Sequence, residues 1–414
     1  MAKRTLLEIL AAPPTARPAI LAGRWLARGE DSTLAAIGPV SVLEGSAQAL
    51  TELPGWLAEH ARAYPAGGAI GYLAYELASA FEVLSLSRFG FLPEFSFAYY
   101  PVIESHPHGD FSPQLSPARG FEAVQLNFDS DSYRRAVTKI LDYLAAGDIY
   151  QANLTQQFSV PVADSRSEDV FRRLAAGGAP FRAFLRTPAC TLISDSPERF
   201  FQVAGRRIVA SPVKGTIARG RDAAGDEQAR TRLRASSKDR AENTMIVDLL
   251  RNDLGRICQY QTIAAQMFEI VPLPHLFHLV SHVRGTLRPQ VGVLEIFRAL
   301  FPCGSITGAP KIRAMEILAE IERVPRGISM GAIGIILGAP GSEGWELDFN
   351  VAIRTMMIHE DIAIFNAGGG IVSDSQADSE YAELLLKARP LLQALGVAVP
   401  EDREWEYNAP LWIA

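Results

Sequence analysis

The chain has 414 residues, 48% hydrophobic and 21% charged, with a formal net charge of −6 at pH 7. That length allows one large or two ordinary domains with ample core, and the absence of any basic block leaves nucleic-acid binding without an electrostatic footprint. Three cysteines, Cys190, Cys258 and Cys303, are too few and too scattered for a disulfide framework or a zinc cage.

The first residues, MAKRTLLEILAAPPTA, start basic, but Glu8 and Pro13-Pro14 break the apolar run, so no signal peptide is expected. No window approaches the roughly 18 uninterrupted apolar residues of a membrane span, and the expected location is cytoplasmic. Residues 1 to 122 read as short strand-like pieces separated by Pro and Gly, richest in GGAIGYLAYELASAF at 67–81. Pro101 to Gly120 reads as a loop crossing between two halves of the molecule, with His106 and His108 either metal ligands or, favoured, part of a solvated loop.

At Asp129 the texture changes. Tyr133, Val137, Ile140, Leu141 and Leu144 recur at helical spacing, Ser130 or Asp131 can cap, and Gly147 ends the helix. A strand is predicted over Asp148–Val160. Its parity puts Ile149, Gln151, Asn153 and Thr155 on one face and Tyr150, Ala152, Leu154 and Phe158 on the other. A row of amide and hydroxyl groups lines either solvent or a polar pocket. Two more strands are expected between Phe181 and Ser194. Then Phe200–Val203 and Ile208–Val213 flank Ala-Gly-Arg-Arg, a β-hairpin with Gly205 in its turn. Glu198 stands at its start and Lys214 at its finish. Both faces of the second strand are nearly apolar, so it reads as buried on both sides. Only six of the 40 basic residues are lysine. Where Arg supplies ordinary surface charge, a lysine between Val and Gly-Thr reads as one kept for its chemistry.

Arg219–Gln228 reads as a mobile charged loop, Ala229–Ile257 as a long helical region, and Phe268–Leu287 as a strand carrying His278. Pro302–Ala309 is a Gly/Ser/Thr loop opening a helix at Pro310 that runs to Glu322. Strands Trp345–Met357 and Ile362–Asn366 form a hairpin, with Arg354 on the parity of Asp348 and Asn350. Gly368-Gly369-Gly370 leads to a last helix from about Ala377 to Ala394.

Two helices carry acidic pairs at i and i+3, Asp239/Glu242 and Glu380/Glu383, each pair on one helix face. Alone, either is solvated surface. Meeting across a cleft they make an oxygen-rich site of the kind Mg²⁺ takes, with a few carboxylates plus water and substrate oxygens. The loop Gly304-Ser305-Ile306-Thr307-Gly308 offers N–H groups and a hydroxyl to an anion. It lacks Walker spacing. Arg354 can fork a carboxylate or be a paired structural arginine, and the three glycines permit close backbone approach to a ligand or a plain turn. No GxSxG, Cys-His dyad or dinucleotide fingerprint is present.

Together these segments resemble the chorismate-utilising enzymes. The resemblance rests on GDIYQANLTQ (147–156), SPERF (196–200), PVKGT (212–216), AENTMIVDLLRNDLGRI (241–257), FHLVSHV (277–283), FPCGSITGAPKIRAME (301–316), AIRT (352–355) and AGGGIVSDS…EYAELLLKA (367–388), in unbroken order over 123–395. GRW at 23–25 and GGAIGYLAYEL at 67–77 extend it more weakly. It implies an α+β fold: two stacked, largely antiparallel β-sheets surrounded by helices, with the active site in the cleft between the halves. It also implies a division into an N-terminal region, 1–122, contributing strands to the common sandwich, a chorismate-binding region, 123–395, and a tail, 396–414.

Within the family the anthranilate synthases have a small residue before Gly-Thr, whereas the aminodeoxychorismate synthases have lysine, as in PVKGT here. The resemblance to that branch implies that Lys214 attacks C2 of chorismate and expels the C4 hydroxyl, with Glu198 as the general acid. Ammonia then adds at C4. It implies Mg²⁺ held directly by Glu242 and Glu383, with Asp239 and Glu380 acting through water. Arg354, the Gly368-Gly369 backbone and Lys387 would hold carboxylates, and His278 and Thr307 substrate oxygens. Gly215 and Thr216, beside the lysine, join the substrate-binding set. Gln151 stands where isochorismate synthases place a water-activating lysine, so water attack at C2 is not expected. No glutamine-amidotransferase nucleophile motif is found, which implies a separate amidotransferase subunit as ammonia source. The chain departs from the family at Ile335, commonly a Tyr in GAIGY, and at Cys303, usually Gly in FPGGS. Anthranilate synthase component I is the alternative enzyme, and a non-catalytic partner that binds chorismate or the amidotransferase is the alternative of another class.

Overall fold

Runs of apolar strands, alternating with helices whose apolar stripe needs a cover, build two antiparallel sheets stacked face to face and clad in helices. The computed structural model describes residues 4–27, 32–107, 124–273, 276–338 and 344–397; the expected tail lies almost wholly outside them, as does His108. Among the described residues each sheet has ten strands. The first sheet runs, neighbour to neighbour, Gly308–Ala309, Gln151–Pro161, Ile362–Ile371, Thr355–His359, Thr191–Ser196, Phe181–Arg186, Ala19–Gly23, Ser32–Ala36 and Glu104–Pro107, with Gln125–Leu126 also on Gln151–Pro161. The second runs Val213–Ala218, Leu276–Thr286, Arg207–Ser211, Arg199–Ala204, Trp345–Val351, Ala332–Gly338, Gly68–Leu73, Phe95–Tyr100 and Ser41–Gly45, with Ala264–Pro272 also on Leu276–Thr286. Strands from before residue 122 pair with strands from after it: Ala19–Gly23 with Phe181–Arg186, and Gly68–Leu73 with Ala332–Gly338.

Among the described residues, three apolar layers and a smaller cluster about Leu233 and Phe277 hold this together. Leu21, Leu185, Leu192 and Met357 of the first sheet meet Ile70, Tyr72, Ile333 and Ile335 of the second in the middle. Ile335 is fully buried there, in the core between the sheets. The outer face of the first sheet is covered by helices Ser130–Ala145, Ser167–Ala175, Lys311–Glu322 and Ala377–Ala394. That of the second is covered by Leu53–Ala63, Ser237–Gly255 and Val293–Leu300. No helix among the described residues is long and apolar enough to cross a membrane.

The hairpin about Gly205, at φ +61°, and the helices starting near 130 and 377 form as their local patterns predict. Several expectations need correction. Asp129 itself caps the first of those helices, accepting from Ser132 N at 2.6 Å. The segment expected as a mobile loop, Arg219–Gln228, is mostly helical: Asp222 caps a helix over Ala223–Ala235, and Arg219 pairs with Asp226. Ser236 then separates it from the helix Ser237–Gly255, so the single helical region is two. Phe268–Leu287 is two antiparallel strands. The loop at 302–309 enters its helix only after the short strand Gly308–Ala309, with Pro310 as the N-cap. His106 lies on the strand Glu104–Pro107 and is buried.

The largest correction is at Trp345–Met357. It alternates like one strand, yet its first half belongs to the second sheet and its last residues to the first. The chain crosses between sheets at Ala352–Arg354, and Arg354 takes φ +48°, so strand parity does not apply to it.

Candidate active site

A second sheet-to-sheet crossing lies beside the first one. The chain leaves Thr191–Ser196, turns at Pro197-Glu198 and enters Arg199–Ala204 in the other sheet. The two crossings are bonded together: Val351 N donates to Glu198 O at 3.0 Å, Asp195 N to Arg354 O at 3.1 Å, and Ser196 Oγ to Val351 O at 2.6 Å. Glu198 and Arg354 are thereby brought to the floor of one cleft of about 730 Å³.

Lys214 enters the same cleft from the edge of the second sheet. Pro212 interrupts the strand expected to run unbroken to Val213, and Val213–Ala218 restarts on its own against Leu276–Thr286. Its register shifts between Val213 and Thr216, a bulge that turns the side chain out of line. Gly215 makes this possible at φ +96°, where a Cβ would sit 3.0 Å from Asp239 Cβ. Lys214 is half-buried, and its Nζ donates to Ser305 O at 3.4 Å. The Ser305 hydroxyl also faces the Glu198 carboxyl, and Val213 N donates to Glu198 Oε1 at 3.4 Å. Burial pushes the Glu198 carboxyl up to about 7, although Lys214, Ser305 and Val213 all favour its charged form. A carboxylic acid that keeps its proton near neutrality therefore stands beside an amine.

The acidic pairs do meet across this cleft. Asp239 and Glu242 reach it from the helix Ser237–Gly255, whose other side buries Ile246, Val247, Leu250 and Leu254. Glu380 and Glu383 reach it from Ala377–Ala394, which buries Tyr381, Leu384 and Ala388. Their states differ. Glu380 is buried and accepts from Ser375 Oγ at 2.7 Å. Burial alone would raise the Glu383 carboxyl, but Lys387 at 2.6 Å, with Lys238 and Lys214 beyond, holds it below the usual value. Burial raises Glu242, and Asp239 and Glu383 add to this against Lys214 and Lys238. Among the described residues no three His, Cys, Asp or Glu side chains stand close enough to form a metal group by themselves. Mg²⁺ asks for less: one or two carboxylates completed by water and substrate oxygens. Glu242 fits that demand, being half-buried, crowded by like charge and without a side-chain hydrogen bond or ion pair among the described residues.

The anion-holding groups are partly committed and partly free. Lys387 Nζ donates to Gly368 O at 3.0 Å as well as pairing with Glu383. The Arg354 guanidinium lines the cleft with no hydrogen bond or ion pair among the described residues. His278 is buried, its Nδ1 2.8 Å from Thr216 Oγ1 and its Nε2 without a partner. Burial and Arg354 push its pKa down to about 4, so it is neutral at working pH.

Gly368 and Thr216 line the cleft, and a Cβ at Gly369 would lie 3.4 Å from both Glu380 Oε2 and Lys387 Nζ. Gln151 and Thr307 stand behind the wall. Gln151 is fully buried under Gly370, where a Cβ would meet its Nε2 at 2.1 Å. The Thr307 hydroxyl is spent on the carbonyls of Cys303 and Gly304. Ile335 is not among the residues lining the cleft.

Lys238 and Asn366 line the cleft without having been singled out; so do Asn153, named only within a polar row, and Ser305, named only as part of the anion-holding loop. The scarcity of lysine was a usable signal for Lys238: three of the six lysines, 214, 238 and 387, face this one cavity. Asn153 stood in the polar row of its strand, and nothing in that row distinguished it from its neighbours.

A sequence profile described as chorismate binding enzyme matches residues 21–393. Aminodeoxychorismate synthase component 1 of Escherichia coli K12 is 36% identical over 353 residues, covering 80% of this chain and 77% of that protein. Anthranilate synthase component 1 of Geobacillus stearothermophilus is 39% identical over 277 residues, 66% of this chain and 53% of that one. Among solved structures, anthranilate synthase component I of Streptococcus pneumoniae aligns with a TM-score of 0.74 at 25% identity, covering 87% of this chain and 92% of that one. The menaquinone-specific isochorismate synthase of Escherichia coli aligns with a TM-score of 0.74 at 17% identity over 95% and 92%, a likeness of fold. With a profile match over nine-tenths of its length and a cleft that gathers an acid, an amine and facing carboxylates, the chain belongs to the chorismate binding enzyme family.

Proposed function

We propose that this protein is component I of an aminodeoxychorismate synthase. It would work in the cytoplasm, converting chorismate and ammonia to 4-amino-4-deoxychorismate, with ammonia drawn from glutamine by a separate amidotransferase subunit. The observation that carries the reading is the junction at Ser305, where one residue contacts both Lys214 and Glu198. The water-adding members of the family place their lysine where this chain has Gln151, and the anthranilate synthases have a small residue where it has Lys214.

The reacting form of Lys214 is the neutral amine, the form with a lone pair to give. Its nitrogen bonds to C2 of chorismate, both conjugated ring double bonds shift by one position, and the C4–O bond breaks. Glu198, protonated near neutrality, gives its proton to that oxygen, so water leaves. Ammonia then bonds to C4, the double bonds shift back, and the C2–N bond breaks to return Lys214 as an amine. The surplus proton on the new ammonium restores Glu198. Arg354 is free to fork a substrate carboxylate, and His278 can donate or accept through Nε2. Glu242 and Glu383 would hold Mg²⁺, with Asp239 and Glu380 behind them, and the ion would neutralise a substrate carboxylate.

Mass analysis of the product from chorismate, Mg²⁺ and ammonium tests the assignment, with 4-amino-4-deoxychorismate expected and anthranilate as the result that overturns it. Without ammonia, an adduct should accumulate on the Lys214 peptide. Lys214→Ala should form none and lose most C4 amination, and Lys214→Arg should fail too, because guanidinium stays protonated. Near wild-type amination by Lys214→Ala would remove the lysine from the chemistry.

A further inference from the structure

Under the cleft, Arg326 is only 2% exposed, and its guanidinium makes four hydrogen bonds. Two go to Glu322: Nε to Oε2 at 2.8 Å and Nη2 to Oε1 at 2.7 Å. The other two go to main-chain carbonyls, Nη2 to Asn153 O at 2.7 Å and Nη1 to Ile306 O at 3.0 Å. Glu76 fixes the arginine from behind, accepting from Arg326 N at 2.7 Å, and the Tyr75 ring lies 4.5 Å beneath the guanidinium.

A structural ion pair would need only the Glu322 half of this arrangement. The other half joins two segments that both line the cleft: Asn153 on the strand Gln151–Pro161, and Ile306 in the turn Gly304–Ile306. Ile306 follows Ser305, the residue that touches both Lys214 and Glu198. A planar five-donor fork holds Glu322 and carbonyls on two segments together, which the compact three-donor ammonium of a lysine does not reproduce.

We infer that Arg326 is a positioning residue of the active site, tying the Gly304–Ile306 turn to the Gln151–Pro161 strand so that Ser305 is held against Lys214 and Glu198. The tie is geometric, while the roles of the positioned pair rest on the function proposed above.

Arg326→Lys keeps a charge for Glu322 but loses the fork. Its kcat should fall about 10- to 100-fold, because small displacements of a reacting group are that costly, while KM for chorismate changes by less than about threefold. The alkaline limb of kcat should move up. The groups facing Glu198 are Lys214, Cys303, the Ser305 hydroxyl and Val213 N–H, and of these the Ser305 hydroxyl, which favours the carboxylate, is the one released. Ser305→Ala should shift the limb in the same direction, and the double variant should lose little more than either single one, since both break one linkage. A folded Arg326→Lys enzyme with wild-type kcat and limb, or losses that add in full, would overturn the inference. If Arg326→Lys does not fold, Arg326→Gln with Glu322→Gln leaves no unpaired ion at position 322, keeps the main-chain donors to Glu76, and is read the same way. All rates are followed as chorismate consumption. A product other than aminodeoxychorismate would therefore sink the proposed function while leaving the Arg326 comparison intact.

Discussion

Replacing Glu198 by Gln should stabilise the protein at alkaline pH while removing its activity, and the size of the effect follows from the site. The folded carboxyl titrates at about 7 against an ordinary value of 4.5, with burial as the main cause. Folding therefore favours the protonated form. Stability from this group is whole below about pH 4.5, drains as pH rises from there through 7, and stays low above it. At 1.36 kcal/mol for each unit, the full loss is roughly 3 kcal/mol, of which roughly 2–3 kcal/mol falls between pH 5 and pH 8. Gln fills the same space and cannot ionise, so the variant escapes the loss. Urea unfolding of both proteins at pH 5 and pH 8 measures it, and the difference should grow toward the variant by that amount. Glu76, at about 7, and Asp195 and Asp348, at about 6, are also raised by burial, but they are common to both proteins and cancel. An equal stability difference at the two pH values would show that Glu198 is not held protonated, and its assignment as the acid would fall with it.

Arg354→Lys should raise KM for chorismate about tenfold with a smaller change in kcat, since a point charge replaces a bidentate fork; steady-state kinetics that leave KM unmoved would mean the guanidinium holds no substrate carboxylate. Glu242→Gln and Glu383→Gln should each weaken Mg²⁺ binding measured by calorimetry, with the fold unchanged by circular dichroism, because a site with few protein ligands has none to spare. Wild-type Mg²⁺ affinity in both would place the ion elsewhere.

Local chemistry was legible from the sequence wherever its causes lie within a few residues. Gly205 in its turn, the helical spacing from Tyr133 to Leu144 and the apolar stripe of Ala377–Ala394 are such cases, because turn glycines and helical periodicity act over one or two turns of chain. The rarity of lysine singled out Lys214, and i,i+3 spacing placed each acidic pair on one helix face. Tertiary structure alone decided which of those faces look at each other. Alternation over Trp345–Met357 continues unbroken through a change of sheet, because parity records two faces and not which neighbour covers them. For the same reason Asn153 lines the cleft while Gln151, on the same predicted face, is sealed under Gly370. The proton on Glu198 is the clearest instance. Its residue type is set by the chain, but its affinity for a proton comes from burial at a crossing between two sheets, among Lys214, Val213 and Ser305 brought there from separate parts of the sequence.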